Sequence, residues 1–274
     1  MKNIYTWAAK PAKRNLTVGD LKAAKGKRKF TQVTANSVEE AEAAEKAGFD
    51  MIISNAKNVL PVREGSKNLF LTAALVLNEF VTEEDIMRGA FKALENGADA
   101  VMTPRSMDIV EMLAKEDVPV MGHLGLVPRK STWIGGLRAV GKTAEEAIGV
   151  LNHTLELQEA GVIGVEFEVV PPKVAAVVTK KVDIMTLSMG SGSDCDGQYL
   201  FANDVLGYTD GHMPRHARVY KDFKKEYEKL QNERLDAFKK FHQDTIDKNF
   251  NDPKITVGID DSEFEKFMEL SEKI

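Results

Sequence analysis

The sequence predicts a (β/α)8 barrel followed by a C-terminal helical extension. Eight short apolar or β-rich runs recur between residues 29 and 204, most of them separated by helical patterns. Repeated βα units of this kind build a parallel sheet. The chain has 274 residues, and one closed barrel of eight such units takes about 250. The glycine fingerprint G-x-G-x-x-G of an open dinucleotide-binding sheet is missing from the sequence.

Each element has a local reason. Residues 16–22 form a short leading helix with Thr17 as its cap. Residues 29–34 are the first barrel strand. Ser37-Val38-Glu39-Glu40 reads as a capping box for a helix that runs through Ala47 and stops at Gly48. Strands follow at 50–54 and 69–76. Thr82-Glu83-Glu84-Asp85 opens a helix that ends at Asn96-Gly97, before a strand at 98–102, a helix at 106–115 and a strand at 118–121. Thr143-Ala144-Glu145-Glu146 starts a long helix to Gly161. Residues 164–170 are a strand, and Pro171-Pro172 begins the next helix, since proline is tolerated in a first turn. A strand at 183–187 ends in a Gly/Ser-rich turn, and residues 198–204 are the last strand. From about Pro214 the composition shifts. Phe223, Tyr227, Leu230, Leu235, Phe238 and Phe241 recur at helical spacing among charged residues, as in an amphipathic helix. The expected division is therefore a barrel with a short N-terminal helix over 1–213. Residues 214–274 form a helical extension packed on the barrel or on a neighbouring subunit.

A net charge of −5 and a pI of about 5.7 leave no electrostatic footprint for nucleic acid. No apolar run is long enough to span a membrane. Met1-Lys2-Asn3-Ile4-Tyr5 lacks the apolar core of a signal peptide, and the single Cys195 excludes an intrachain disulfide. A cytoplasmic location is expected. Asp194 and Asp196 flank Cys195 and disfavour its thiolate.

In a barrel, catalytic residues come from the C-terminal ends of several strands. Gly122-His123-Leu124-Gly125 follows the fifth strand. Its glycines allow close backbone approach, and its histidine is a titratable ring at the strand mouth. Alternation along Val165-Glu166-Phe167-Glu168-Val169 sends both glutamates to one side, and buried carboxylates are costly unless paired. Glu168 is the leading acid/base candidate. The alternative is that both glutamates are hydrated or salt-bridged at the open mouth. His123 is either a substrate contact, a metal ligand or a satisfied structural residue, and no metal-ligand spacing accompanies it. His153 is expected on the surface, and His212 and His216 lie after the last barrel unit. The Ser188-Met189-Gly190-Ser191 turn offers amides to an anion. Lys57, Arg63, Arg105 and Arg129 are placed to hold an anionic substrate or to remain solvated loop charges.

Taken together, these segments resemble the ketopantoate hydroxymethyltransferase family. The likeness rests on 118–128, read Val118-Pro119-Val120-Met121-Gly122-His123-Leu124-Gly125-Leu126-Val127-Pro128, then Gly135-Gly136 and Val140-Gly141. It continues through Glu168 with Pro171, Gly190 with Gly192, Asp196-Gly197-Gln198, Leu206-Gly207 and Gly211-His212-Met213-Pro214. The resemblance implies a barrel of the phosphoenolpyruvate mutase/isocitrate lyase type. It also implies hydroxymethyl transfer from 5,10-methylenetetrahydrofolate to 2-oxoisovalerate in pantothenate synthesis. Glu168 would be the base and His123 the histidine of the fifth strand. Mg²⁺ would chelate the 2-oxo acid, and the protein would be a homo-oligomer, with a decamer among the forms to expect.

The sequence departs from the family pattern where the metal should sit. Ala56 stands at the first metal-binding aspartate, in Ser54-Asn55-Ala56-Lys57. The run Ala74-Leu75-Val76-Leu77-Asn78 carries no second aspartate. Met102 and Pro104 replace a lysine and a glutamate, and Asn36-Ser37 replaces a Tyr-Asp pair. No metal-binding residue is therefore assigned, and Mg²⁺ is doubtful. The expected substrate contacts are Asn55, Lys57, Arg105, Ser188, Gly190 and Ser191, with Lys57 or Arg105 supplying the charge a metal would bring. Three readings stand open: the family reaction, a metal-independent enzyme on another small carboxylic acid, or a non-catalytic ligand-binding paralogue.

Overall fold

The computed structural model describes residues 1–211 and 213–274. The chain divides into two compact units, Met1–Lys221 and Asp222–Ile274.

The first unit opens with an antiparallel hairpin of β1 (Lys2–Tyr5) and β2 (Pro11–Arg14). Its short strands are mostly exposed, so no apolar alternation announces them. The leading helix is Val18–Ala24, closed at its start by a reciprocal capping box between Thr17 and Asp20. Eight parallel strands then form a closed barrel. They are β3 (Phe30–Thr34), β4 (Met51–Asn55), β5 (Phe70–Ala74), β6 (Ala100–Met102), β7 (Val120–Gly125), β8 (Gly164–Glu168), β9 (Met185–Met189) and β10 (Gly197–Leu200). Each pairs with the next in sequence, and β10 returns to β3. This is the (β/α)8 architecture the sequence predicts.

Period-two alternation separates two apolar layers. Phe30, Met51, Ile53, Phe70, Met121 and Leu187 fill the lumen together with Leu16 and Leu21 of the leading segment. Val33, Ile52, Leu71, Val101, Val120 and Val165 face outward against the helices. Burying one side chain of this size stabilises by about 1.5–3 kcal/mol. Two charged networks fasten the strand beginnings. Asp99, just before β6, accepts from Arg14 Nε at 2.8 and 3.0 Å, from Arg63 and from the Leu71 amide. Asp196, just before β10, accepts from Lys25 Nζ at 2.8 Å and from the Thr186 and Gly26 amides. Conserving charge balance at this end is a matter of stability, since chemistry in such barrels sits at the opposite end.

Besides the β1–β2 hairpin, the structure departs from expectation at three elements. Strand β7 continues to Gly125 and carries His123 within it. Residues 198–204 are not one strand: β10 stops at Leu200, and Ala202–Leu206 is a helix ended by Gly207 in the left-handed conformation, φ 70°. The helix Val59–Gly65 has no capping side chain to announce it, and its Pro61 falls in the first turn, where proline is tolerated.

In the second unit, Asp222 accepts the Lys225 amide at the start of helix Phe223–Ile246, and Asp260 caps helix Asp261–Ser271. Neither helix buries a side chain. Among the described residues no helix is long and apolar enough to cross a membrane.

Candidate active site

Strands β7 and β8 pair so that His123 lies opposite Glu166 and Gly125 opposite Glu168. Alternation therefore sends His123, Glu166 and Glu168 into the lumen at the C-terminal end of the strands. His123 Nδ1 is 3.5 Å from Glu166 Oε2, and Nε2 is 3.2 Å from Glu168 Oε2 and 3.3 Å from the Leu126 carbonyl. Glu166 is 1% exposed, and its Oε1 accepts from Gln32 Nε2 at 3.0 Å across the lumen. Burial by itself pushes His123 toward its neutral form. The hydrogen bonds and charges of Glu166 and Glu168 overcome that and hold its pKa up at about 10. At neutral pH an imidazolium is clasped by two carboxylates.

Backbone geometry explains how Glu168 is aimed. Gly125 has φ 101°, and a Cβ there would stand 2.2 Å from the Glu168 carbonyl oxygen. That closeness lets the Leu126 amide donate to the same oxygen at 2.8 Å. Val169, directly after Glu168, has φ 52°. A β-branched residue in the left-handed region costs on the order of 1–3 kcal/mol. The Val169 amide bonds the Met189 carbonyl at 2.9 Å, and the Val170 amide bonds Ser191 Oγ at 2.9 Å, which together impose this conformation.

A cavity of about 430 Å³ opens over these groups and is lined by Asn36, Asn55, Glu168, Tyr199, Asn203 and Asp204. Burial, then the charges of Glu166, Glu168 and Asp204, raise the Tyr199 pKa, so its phenol stays a neutral donor. Asp204 is 3% exposed. One of its oxygens accepts the Thr209 hydroxyl at 2.6 Å, and Oδ2 has no partner among the described residues. A second cavity, about 650 Å³, shares His123 with the first and is lined by Arg105, Arg129, Lys130 and His153 among others.

Of the residues the sequence singled out, Glu168, His123 and Asn55 come together. Asn55 donates its amide to Asn36 Oδ1 at 3.1 Å and accepts the Lys57 amide. Lys57 itself lies elsewhere. The one-turn helix Ala56–Asn58 buries Ala56 and turns Lys57 outward, where its side chain is 63% exposed and pairs with Glu79 at 2.9 Å. Arg105 lines the second cavity, not the first, and donates to the Leu77 and Phe80 carbonyls. Ser188, Gly190 and Ser191 line neither. The Ser188 hydroxyl accepts the Ser191 amide at 3.0 Å, and the Ser191 hydroxyl donates to the Phe167 carbonyl at 2.8 Å. These serines fasten the β8 and β9 ends, and Gly190 is required because a Cβ would stand 2.5 Å from His216 Cβ. His153, expected at the surface, is half-buried and faces the second cavity. His216 carries a buried ring nitrogen without a partner among the described residues. His212 lies outside the described residues. Burial raises the Cys195 thiol, in keeping with an unreactive cysteine.

Sequence reasoning missed Gln32, Tyr199 and Asp204. The first two were accessible from strand alternation. Asp204 was hidden by the strand assigned over the helix that carries it.

A family model described as Ketopantoate hydroxymethyltransferase matches residues 54–253. The chain belongs to that family. It is 34% identical over 255 residues to the 3-methyl-2-oxobutanoate hydroxymethyltransferase of Kosmotoga olearia, covering 84% of this chain and 93% of the relative. It is 30% identical to the namesake enzyme of Thermosipho melanesiensis, covering 86% and 96%. The fold alone is shared with solved structures. A 2,3-dimethylmalate lyase of the PEP mutase/isocitrate lyase superfamily superposes with TM-score 0.51 at 11% identity, over 67% of this chain and 80% of that one. A phosphonopyruvate hydrolase superposes with TM-score 0.50 at 11% identity, over 94% and 97%. This chain is thus an enzyme of ketopantoate hydroxymethyltransferase-like function on a (β/α)8 barrel.

The donor set does not fit the divalent metal that the family resemblance implies. Mg²⁺ takes hard oxygen ligands, usually with one or two carboxylates. The ends of β4 and β5 present Ser54, Asn55 and Ala56, then Ala74, Leu75 and Val76, with no carboxylate among them. Glu166 and Glu168 are already paired with His123. Among the described residues no three His, Cys, Asp or Glu side chains form a group that could hold a metal.

Proposed function

We propose that this enzyme makes or breaks a carbon–carbon bond at C3 of a small 2-oxo acid, with Glu168 as the base. The carrying observation is the His123 imidazolium clasped between Glu166 and Glu168 at the open end of the barrel. By family expectation the acid is 2-oxoisovalerate, the one-carbon donor is 5,10-methylenetetrahydrofolate and the product is ketopantoate. Glu168 is partly open to the cavity and takes the C3 proton. His123, with both ring nitrogens engaged, is a positioning residue. It pairs with Glu168 at 3.2 Å and holds its carboxylate in place at the cavity. The developing enolate oxygen meets neutral donors, the buried Tyr199 phenol and the Asn36 and Asn55 amides at the cavity wall.

No step here runs through a metal, because the donor set does not fit one. That same observation favours a second reading, a metal-independent reaction on another small carboxylic acid. Product analysis separates the two. Incubation with 2-oxoisovalerate and 5,10-methylenetetrahydrofolate in EDTA is expected to yield ketopantoate. Failure with EDTA and with added Mg²⁺ alike would leave the second reading or a ligand-binding role. We further propose a cytoplasmic homo-oligomer, with residues 214–274 as an extension that contributes to assembly.

A further inference from the structure

The second cavity has no part in the chemistry above, yet it shares His123 with the acid–base cavity. The two are opposite in charge. The inner cavity sets Glu166, Glu168 and Asp204 against His123. The outer one sets Arg105, Arg129, Lys130 and Arg138 against Glu146 and Glu156. Arg138 and Glu146 are paired with each other. Arg105 is held by the Leu77 and Phe80 carbonyls, and Arg129 by the Pro104 carbonyl. Carbonyls orient a guanidinium without neutralising it. The Lys130 amide bonds the Val127 carbonyl at 2.9 Å, while its ammonium has no hydrogen bond or ion pair among the described residues.

Among the described residues only Arg138 of these cations is ion-paired, Glu156 is the one other carboxylate of the lining, and Arg129 and Lys130 stand at the exposed rim. Burial and then the nearby Arg105 hold the Arg129 pKa below the ordinary guanidinium value. Burial and then Lys130 lower that of His153. Gathering like charges at a cavity wall is unfavourable until an anion arrives. A ligand carboxylate meeting positioned guanidinium and ammonium donors gains charge-assisted hydrogen bonds.

We propose that the outer cavity is a carboxylate-binding chamber. Arg105, Arg129 and Lys130 anchor the anionic end of a substrate whose reacting carbon reaches Glu168 past His123. The proposal rests on the family reading only for which carbon reacts. Two substrates carry the required carboxylate: the 2-oxo acid itself and the glutamate end of a folate donor.

Isothermal titration of 2-oxoisovalerate and, separately, of tetrahydrofolate into the full-length protein tests it. Arg129→Glu and Lys130→Glu are compared with wild type and with Lys57→Glu, an exposed control. For one of the two ligands, Kd is expected to rise about tenfold or more in both chamber variants. It should stay within about twofold in Lys57→Glu, and wild-type binding should weaken as salt is raised. The ligand affected identifies what the chamber anchors. Lys130→Gln, which removes charge without reversing it, is expected to fall between wild type and Lys130→Glu and guards against a folding artefact. Equal affinities in wild type and chamber variants for both ligands, with no salt dependence, overturn the chamber. Because binding is read and not turnover, failure of the proposed reaction would leave this result intact.

Discussion

His123 keeps its proton because two carboxylates flank it, and the sign of the pH effect follows. The folded pKa, about 10, lies above the ordinary histidine value of 6.5. The stability this group contributes is fully present below about pH 6.5 and is lost as pH rises through about 10. Urea unfolding of wild type and His123→Gln at pH 6, 8 and 10 checks this: the stability gap should be widest at pH 6 and narrow steadily. A gap independent of pH would contradict the charged form. The His123–glutamate cluster was legible in sequence because alternation along a strand is a strict rule, and it put Glu166 and Glu168 on one side. Lys57 and Arg105 were not legible in the same way. Each follows a strand by a few residues, where no periodicity fixes direction, and a one-turn helix or two carbonyls decided where each charge went.

At the scale of elements, the site is the β7–β8 pair and the turns that leave it. Gly125 has no room for a side chain against the Glu168 carbonyl. Gly125→Ala should therefore displace Glu168, lowering kcat at least tenfold and stability by about 1–3 kcal/mol. Turnover assays and thermal unfolding measure the two, and wild-type turnover in the variant would show that Glu168 is aimed by something else. All eight barrel strands could be located from sequence because each contains a compact apolar or β-branched run, although the last was expected to reach residue 204 and stops at Leu200. The β1–β2 hairpin and helix Val59–Gly65 could not, the one being mostly exposed and the other uncapped. Nor could the turn at Val169. Valine favours extended backbone, and the bonds from its own amide to the Met189 carbonyl and from the Val170 amide to Ser191 Oγ hold it at positive φ.

At the scale of the whole molecule, one end of the barrel is devoted to stability and the other to chemistry. Asp99 and Asp196 fasten the strand beginnings with buried charge, while the strand ends hold two cavities of opposite sign joined at His123. The proposed assembly draws on the helix Phe223–Ile246, whose Leu235 and Phe238 are exposed. Leu235→Glu with Phe238→Glu should shift sedimentation from an oligomer toward a monomer, and a wild-type monomer would refute the assembly. The central claim is that Glu168 removes a C3 proton without a metal, and proton exchange tests it most directly. With 2-oxoisovalerate in D₂O and EDTA, the account predicts deuterium at C3 for wild type. Glu168→Gln, which keeps the shape but not the base, should lower the rate by about 10²–10⁴-fold. Exchange that requires added Mg²⁺, or that survives in Glu168→Gln, would contradict it.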